Sequence, residues 1–149
     1  IFFQPLNQTI MNLNKILLAG LAGGVVSFFL GWIIYGMLLR GAFEPQYTTP
    51  IMRPDNEMVF WALILGNLSC GMLYSYIFGR WAGISNWMTG AQAGAVIGLL
   101  IGMYYDFTMY ATANVMTLQG TLMDLVVCVV MGAAVGAVVA FVLGMGGKK

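Results

Sequence analysis

Four long apolar stretches organise the chain, at about 16–39, 58–79, 84–105 and 122–145, separated by short breaks that are polar or rich in proline. Each exceeds the roughly 20 residues that a helix needs to cross the hydrocarbon core of a bilayer. The apolar positions run on continuously and do not alternate, which excludes a transmembrane β-barrel. The pattern predicts an all-α fold: an integral membrane bundle of four transmembrane helices. One domain over 11–149 accounts for all four, with no room for a soluble domain beside it.

Composition narrows the partners. The 149 residues are 60% hydrophobic and 7% charged, with a mean hydropathy of +0.87, outside the range of a soluble globular domain. A net charge of +1 offers no basic surface for nucleic acid. The partner that the sequence implies is the lipid bilayer, with a second copy or another membrane protein as a further candidate. A small-molecule substrate is left unspecified.

The distribution of charge predicts a topology. If Lys15 is inside, so are Arg80, Lys148 and Lys149, against Arg40 and Arg53 on the other side. That excess places both termini in the cytoplasm. All five acids, Glu44, Asp55, Glu57, Asp106 and Asp124, then fall outside. Trp32, Tyr35, Trp61, Tyr104, Tyr105 and Tyr110 fall where an outer aromatic belt belongs, and Tyr76, Trp81 and Trp87 where an inner one does. Residues 1–10 lack the basic start of a signal peptide. Met11, followed by Asn12 and Lys15, reads as a natural start, so 1–10 are expected to be a non-native upstream or disordered extension.

The breaks differ in character. The outer loop 40–57 contains Pro45, Pro50 and Pro54, which forbid a continuous helix, and it is long enough to fold back over the mouth of the bundle. The inner turn 80–85 is short, which predicts a tight antiparallel hairpin of the second and third helices. The outer segment 108–120 is polar but uncharged and reads as a loop.

Rows of small residues at intervals of four lie on single helix faces. One row is Gly90, Gly94, Gly98 and Gly102, ending in Asp106. Another runs from Asp124 through Cys128, Gly132, Gly136 and Ala140 to Gly144. Helices gain no hydrophobic energy from each other in lipid, so strips that let backbones approach are what drive their association. These rows predict close packing of the third and fourth helices, or of either against the first helix or a second subunit. The first helix has its own row, Gly20, Gly24, Ser27 and Gly31. Laying Gly20 and Gly24 over Gly90 and Gly94 brings Tyr35 over Tyr105, which hints at two related hairpins in parallel orientation.

Candidate chemistry is sparse. There is no histidine, and Cys70 and Cys128 are the only thiols. Their depths differ by roughly 10 Å at 1.5 Å per residue, which argues against a disulfide; both read as small buried hydrophobes. No zinc or iron–sulfur spacing, phosphate loop or nucleophile elbow is present, so no cofactor, metal or catalytic site is expected. Asp106 and Asp124 are the best functional candidates. Facing each other across a shared seam, two such carboxylates cannot both ionise cheaply and would share a proton or bind a cation. The bland alternative is structural: Thr121-Leu122-Met123-Asp124 matches a capping box with Thr121 as N-cap, and Asp106 would simply reach water at headgroup level. Asn67, Ser69, Gln92 and Ser27 are polar at depth and read as hydrogen-bonding glue between helices, with Asn67 and Gln92 on adjacent helices.

Two runs carry a resemblance. Met11-Asn12-Leu13-Asn14-Lys15 with Phe28-Phe29-Leu30-Gly31-Trp32-Ile33-Ile34-Tyr35-Gly36 resembles the first helix of a family of small four-helix bacterial membrane proteins. So does Asp106-Phe107-Thr108-Met109-Tyr110-Ala111-Thr112-Ala113-Asn114, continuing to Gly120-Thr121-Leu122. The family is domain of unknown function 1761, in versions like those of Bacteroidetes. It implies an integral inner-membrane protein with no assigned activity and no functional residues to carry over. Three classes of function stay open: a structural or accessory helix-packing protein, homo-oligomeric if its spare small-residue faces pair; a small proton- or cation-coupled transporter or channel using Asp106 and Asp124; and a membrane enzyme, for which no nucleophile–base pair is visible.

Overall fold

The structure, a computed structural model, describes residues 11–147; the expectations for 1–10 and for Lys148 and Lys149 lie outside the described residues. Helix α1 (Leu13–Gly31) continues as a π-helical segment, Trp32–Leu38, and is followed by a single turn, α2 (Arg40–Phe43). Helix α3 (Phe60–Tyr76) likewise continues as a π-helical segment, Ile77–Ala82, and α4 (Trp87–Thr112) and α5 (Leu118–Gly144) complete the chain. Among the described residues four helices are long and apolar enough to cross a membrane: Leu13–Leu38, Phe60–Ala82, Trp87–Thr112 and Leu118–Gly144. The protein is an all-α bundle with membrane-spanning helices, and its backbone polar groups are satisfied within each helix, as hydrocarbon requires.

Local chemistry sets where the helices begin and end. The Asn12 side chain accepts from the Asn14 amide at 3.1 Å, and the Asn86 side chain accepts from the amides of Met88 and Thr89. These are N-caps that satisfy otherwise orphaned donors. Gly83, at φ +63°, ends the second span in a left-handed conformation with open space around it. Its glycine is there for its backbone angles and not for room.

Two boundaries correct the reading from sequence. The segment 108–120 is mostly helix. The hydroxyls of Thr108 and Thr112 bond back to the carbonyls of Tyr104 and Thr108, at 2.5 and 2.7 Å, so polar residues continue α4 to Thr112. Helix α5 starts at Leu118, with Thr117 as N-cap accepting from the Gly120 amide at 3.1 Å. Thr121 is therefore inside the first turn, its hydroxyl donating to the Thr117 carbonyl at 3.0 Å. The capping box is absent because extended backbone at Met116 and Thr117 places the cap four residues earlier.

Packing makes α5 the centre of the bundle. It touches α4 along most of its length, α1 over a shorter stretch and α3 at fewer points, while α1 makes its main contact with α3. Helices α3 and α4, joined by a short turn, barely meet, and the expected tight hairpin of the second and third helices does not form. The face of α4 that could close it is already committed to α5. Ile16, Tyr74, Phe78, Val135, Val139 and Leu143 fill the space between α1, α3 and α5. Leu100, Val126, Val130 and Phe141 are exposed on the outside of the bundle, a surface suited to lipid.

The α4–α5 contact is backbone on backbone. A Cβ added to Gly94 would collide with the Gly132 carbonyl oxygen, and one on Gly136 with that of Gly90. Nothing lies within 4 Å of the same position on Gly66. Gly94→Val should therefore destabilise the bundle by about 1–3 kcal/mol or more through overpacking, while Gly66→Ala leaves it unchanged or slightly more stable. Thermal unfolding in detergent reads the difference, and equal midpoints for the two variants would contradict the close seam.

Candidate functional site

The register of the glycine contacts determines what comes next along the seam. Gly90 faces Ala140 at one end. Cβ atoms added to Gly94, Gly98 and Gly102 would lie 3.0, 3.1 and 3.0 Å from Gly136 Cα, Gly132 Cα and Cys128 Cβ. The following rung of this antiparallel ladder is Asp106 opposite Asp124. One carboxylate oxygen of each and the Cys128 Sγ lie within 4.8 Å of one another.

The acids stand in different surroundings. Asp106 is 9% exposed, and its Oδ2 is buried with no hydrogen-bond partner. Asp124 is half-buried. Its Oδ1 accepts from the Tyr35 hydroxyl at 2.6 Å, and its Oδ2 lies 3.8 Å from the Cys128 Sγ. A buried polar atom without a partner forfeits about 1–3 kcal/mol of solvation, so Asp106 Oδ2 is the atom at this site that a ligand would satisfy. Two carboxylates this close hold a proton or a cation between them more cheaply than two bare charges.

Tyr35 reaches the pair from the π-helical segment Trp32–Leu38 that continues α1. Its ring lies 5.6 Å from that of Phe43, and Phe43, buried at 3% exposure, anchors α2. The proline-containing loop then crosses the mouth of the bundle. Tyr47 forms an antiparallel bridge with Met116. The Thr48 amide donates to the Val115 carbonyl at 3.0 Å and the Thr117 amide to the Gln46 carbonyl at 2.9 Å. Thr117 Oγ1 also bonds Gln46 Oε1.

Beneath this strap lies a cavity of about 250 Å³. Its walls carry Asp106 and Asp124, the phenols of Tyr35, Tyr47, Tyr105 and Tyr110, and the thioethers of Met109 and Met116. Burial, with the negative charge of Asp124 added, pushes the Tyr47 phenol above its ordinary range, so it stays neutral. No lysine or arginine is in the lining. The donor set suits a proton, a metal cation or an ammonium group.

The other residues singled out from sequence are dispersed. Gly20 and Gly24 face Met72 and Leu68 of α3. Gly144 packs on the Ser85 carbonyl, beyond the glycine seam. Asn67 joins α1 to α3, its Oδ1 accepting from the Ser27 hydroxyl at 2.7 Å and its Nδ2 donating to the Leu63 carbonyl at 2.8 Å. Gln92 is exposed on α4, and α4 barely meets α3, so it does not join Asn67 as glue between adjacent helices. Cys70 and Cys128 are free thiols. Three participants escaped the sequence reading. Gly71 presses on the backbone between Gly20 and Gly24; Tyr35 was assigned to an aromatic belt; and Cys128 was read as an inert hydrophobe, although its spacing of four from Asp124 puts the two on one helix face.

No protein-family model, curated protein or solved structure matches the chain. The site therefore rests on its own geometry.

The bond from Tyr35 to Asp124, at 2.6 Å, is partly buried. Tyr35→Phe, which leaves a partly buried acceptor unpaired, should cost about 1–3 kcal/mol of stability. In a double-mutant cycle with Asp124→Ala, the two losses should not add, because each variant removes the same contact. Additive shifts in detergent unfolding would show that Tyr35 and Asp124 act separately.

Proposed function

We propose that the protein is a small carrier of the cell membrane that binds a proton or a cation at the Asp106/Asp124 pair. The observation that carries this reading is the meeting of Asp106 and Asp124 beside a cavity that both line, with Asp106 Oδ2 buried and without a partner. A structural origin for Asp124 loses its main support once Thr117 caps α5, since Asp124 then stands about two turns inside the helix. Competition of a proton and a cation for one carboxylate pair is the chemical basis of exchange: loading one releases the other. Below the pair the seam is backbone on backbone, which favours a carrier that must rearrange over an open channel. The π-helical segments, one of them bearing Tyr35, are places where such movement is least costly.

The distribution of Lys15, Arg80, Lys148 and Lys149 against Arg40 and Arg53 supports termini in the cytoplasm. With the resemblance to small bacterial membrane proteins, it supports a bacterial cytoplasmic membrane and an outer-rim position for the acid pair.

A second reading, an accessory helix-packing protein, is favoured by the extent of the α4–α5 seam. Its homo-oligomeric form had rested on spare small-residue faces. Those of α4 and α5 are occupied by each other, and Gly20 and Gly24 of α1 by α3. Proteoliposomes separate the two readings. Wild type should show cation-dependent proton movement, reduced at least roughly tenfold in Asp106→Asn and in Asp124→Asn, with both variants still folded and the Asp124→Asn midpoint lowered by no more than its weakened Tyr35 bond. Wild-type vesicles as tight as protein-free ones would leave the packing reading.

A further inference from the structure

Building on the acid pair as a cation site, we propose that the ligand is a small ammonium ion, held with its charge against Asp106 and Asp124 and its apolar surface against tyrosine rings. Four observations support this class. The wall contains two carboxylates and no basic side chain, so it selects positive charge. Asp106 belongs to the pair and to the cavity lining, and its Oδ2 is buried with no partner. Tyr35, Tyr47, Tyr105 and Tyr110 supply four aromatic rings around one small volume, the composition by which proteins recognise alkylated ammonium groups through the negative faces of rings. The cavity, at about 250 Å³, has room for several waters or a small organic cation and far exceeds one bare ion.

A metal ion would use Asp106, Asp124 and Cys128, the last of which is not in the cavity lining, and would leave Tyr47, Tyr105 and Tyr110 without a role. Tyr35 and Tyr47 are partly buried, whereas Tyr105 and Tyr110 are 62% and 46% exposed, so the cavity opens towards the flank of the bundle at its end. An ammonium group can arrive there from two sources: a free amine or the headgroup of a membrane lipid.

The test uses the full chain in nanodiscs of phosphatidylglycerol alone, which has no ammonium group, titrated calorimetrically with tetramethylammonium chloride. Sodium and zinc chlorides serve as comparisons. One saturable site for tetramethylammonium is expected, weakened at least roughly tenfold by Asp106→Asn or Asp124→Asn. Tyr110→Leu and Tyr47→Leu should each weaken it by roughly two- to fivefold. The corresponding Phe variants should keep wild-type affinity, because tetramethylammonium has no N–H to bond a hydroxyl and a phenyl ring retains its face. Unfolding midpoints show which variants stay folded.

Repeating the titration in nanodiscs containing phosphatidylethanolamine or phosphatidylcholine identifies the source. A fall in apparent affinity marks a competing headgroup as occupant, and an unchanged affinity marks a free amine. No saturable tetramethylammonium binding, or binding indifferent to the Leu variants, overturns the inference. If zinc binds instead, and Cys128→Ser weakens it, the ammonium class is wrong while the acid pair stands as a cation site. If no cation binds and proton movement is also absent, both readings fall.

Discussion

Contact between the backbones of α4 and α5 is the constraint on which the remaining structure depends. In lipid, two apolar helices gain nothing from hiding from their solvent, and association relies on van der Waals contact at close range. Gly90, Gly94 and Gly98 against Gly132, Gly136 and Ala140 permit that range because no side chain stands between the chains. In the register adopted, Ala140 packs on Gly90 and Cys128 on Gly98 and Gly102. The depth of every group on α4 relative to α5 follows from this register.

The acid pair is the direct consequence. Asp106 and Asp124 continue the two strips of small residues, so the register that mates the glycines also mates the carboxylates. Ending α4 at Thr112 and starting α5 at Leu118 puts both inside helices rather than at frayed ends, where water would have solvated them separately. The strap built from Gln46, Tyr47 and Thr48 on Val115, Met116 and Thr117 then covers the mouth.

Elsewhere, polar side chains in the bundle join helices and do not form a path. The Ser75 hydroxyl donates to the Ile16 carbonyl at 2.5 Å and the Tyr74 hydroxyl to the Gly94 carbonyl at 3.3 Å, while Ser27 and Asn67 link α1 to α3. Each satisfies a group that hydrocarbon would leave bare. Against that background the unsatisfied Asp106 Oδ2 is an exception among the described residues, and it belongs to a residue that lines the cavity.

Sequence alone determined the class of the fold, because continuous apolar runs of this length admit only membrane helices. It also placed Asp106 and Asp124 at the ends of two matching strips, since a period of four is a purely local property of a helix. It misjudged where α4 ends and α5 begins, because threonines read as loop residues until their hydroxyls find carbonyls one turn back. It read Tyr35 as a belt residue and Cys128 as an inert hydrophobe and did not mention Gly71, because the roles of all three come from neighbours. Tyr35 is 89 positions from Asp124, and no local pattern encodes such a distance. Tertiary structure alone decided that the α4 strip mates with α5, that α3 and α4 splay apart, and that a loop closes over the acids. These outcomes depend on which faces are already occupied when a helix looks for a partner, a competition among all the helices at once.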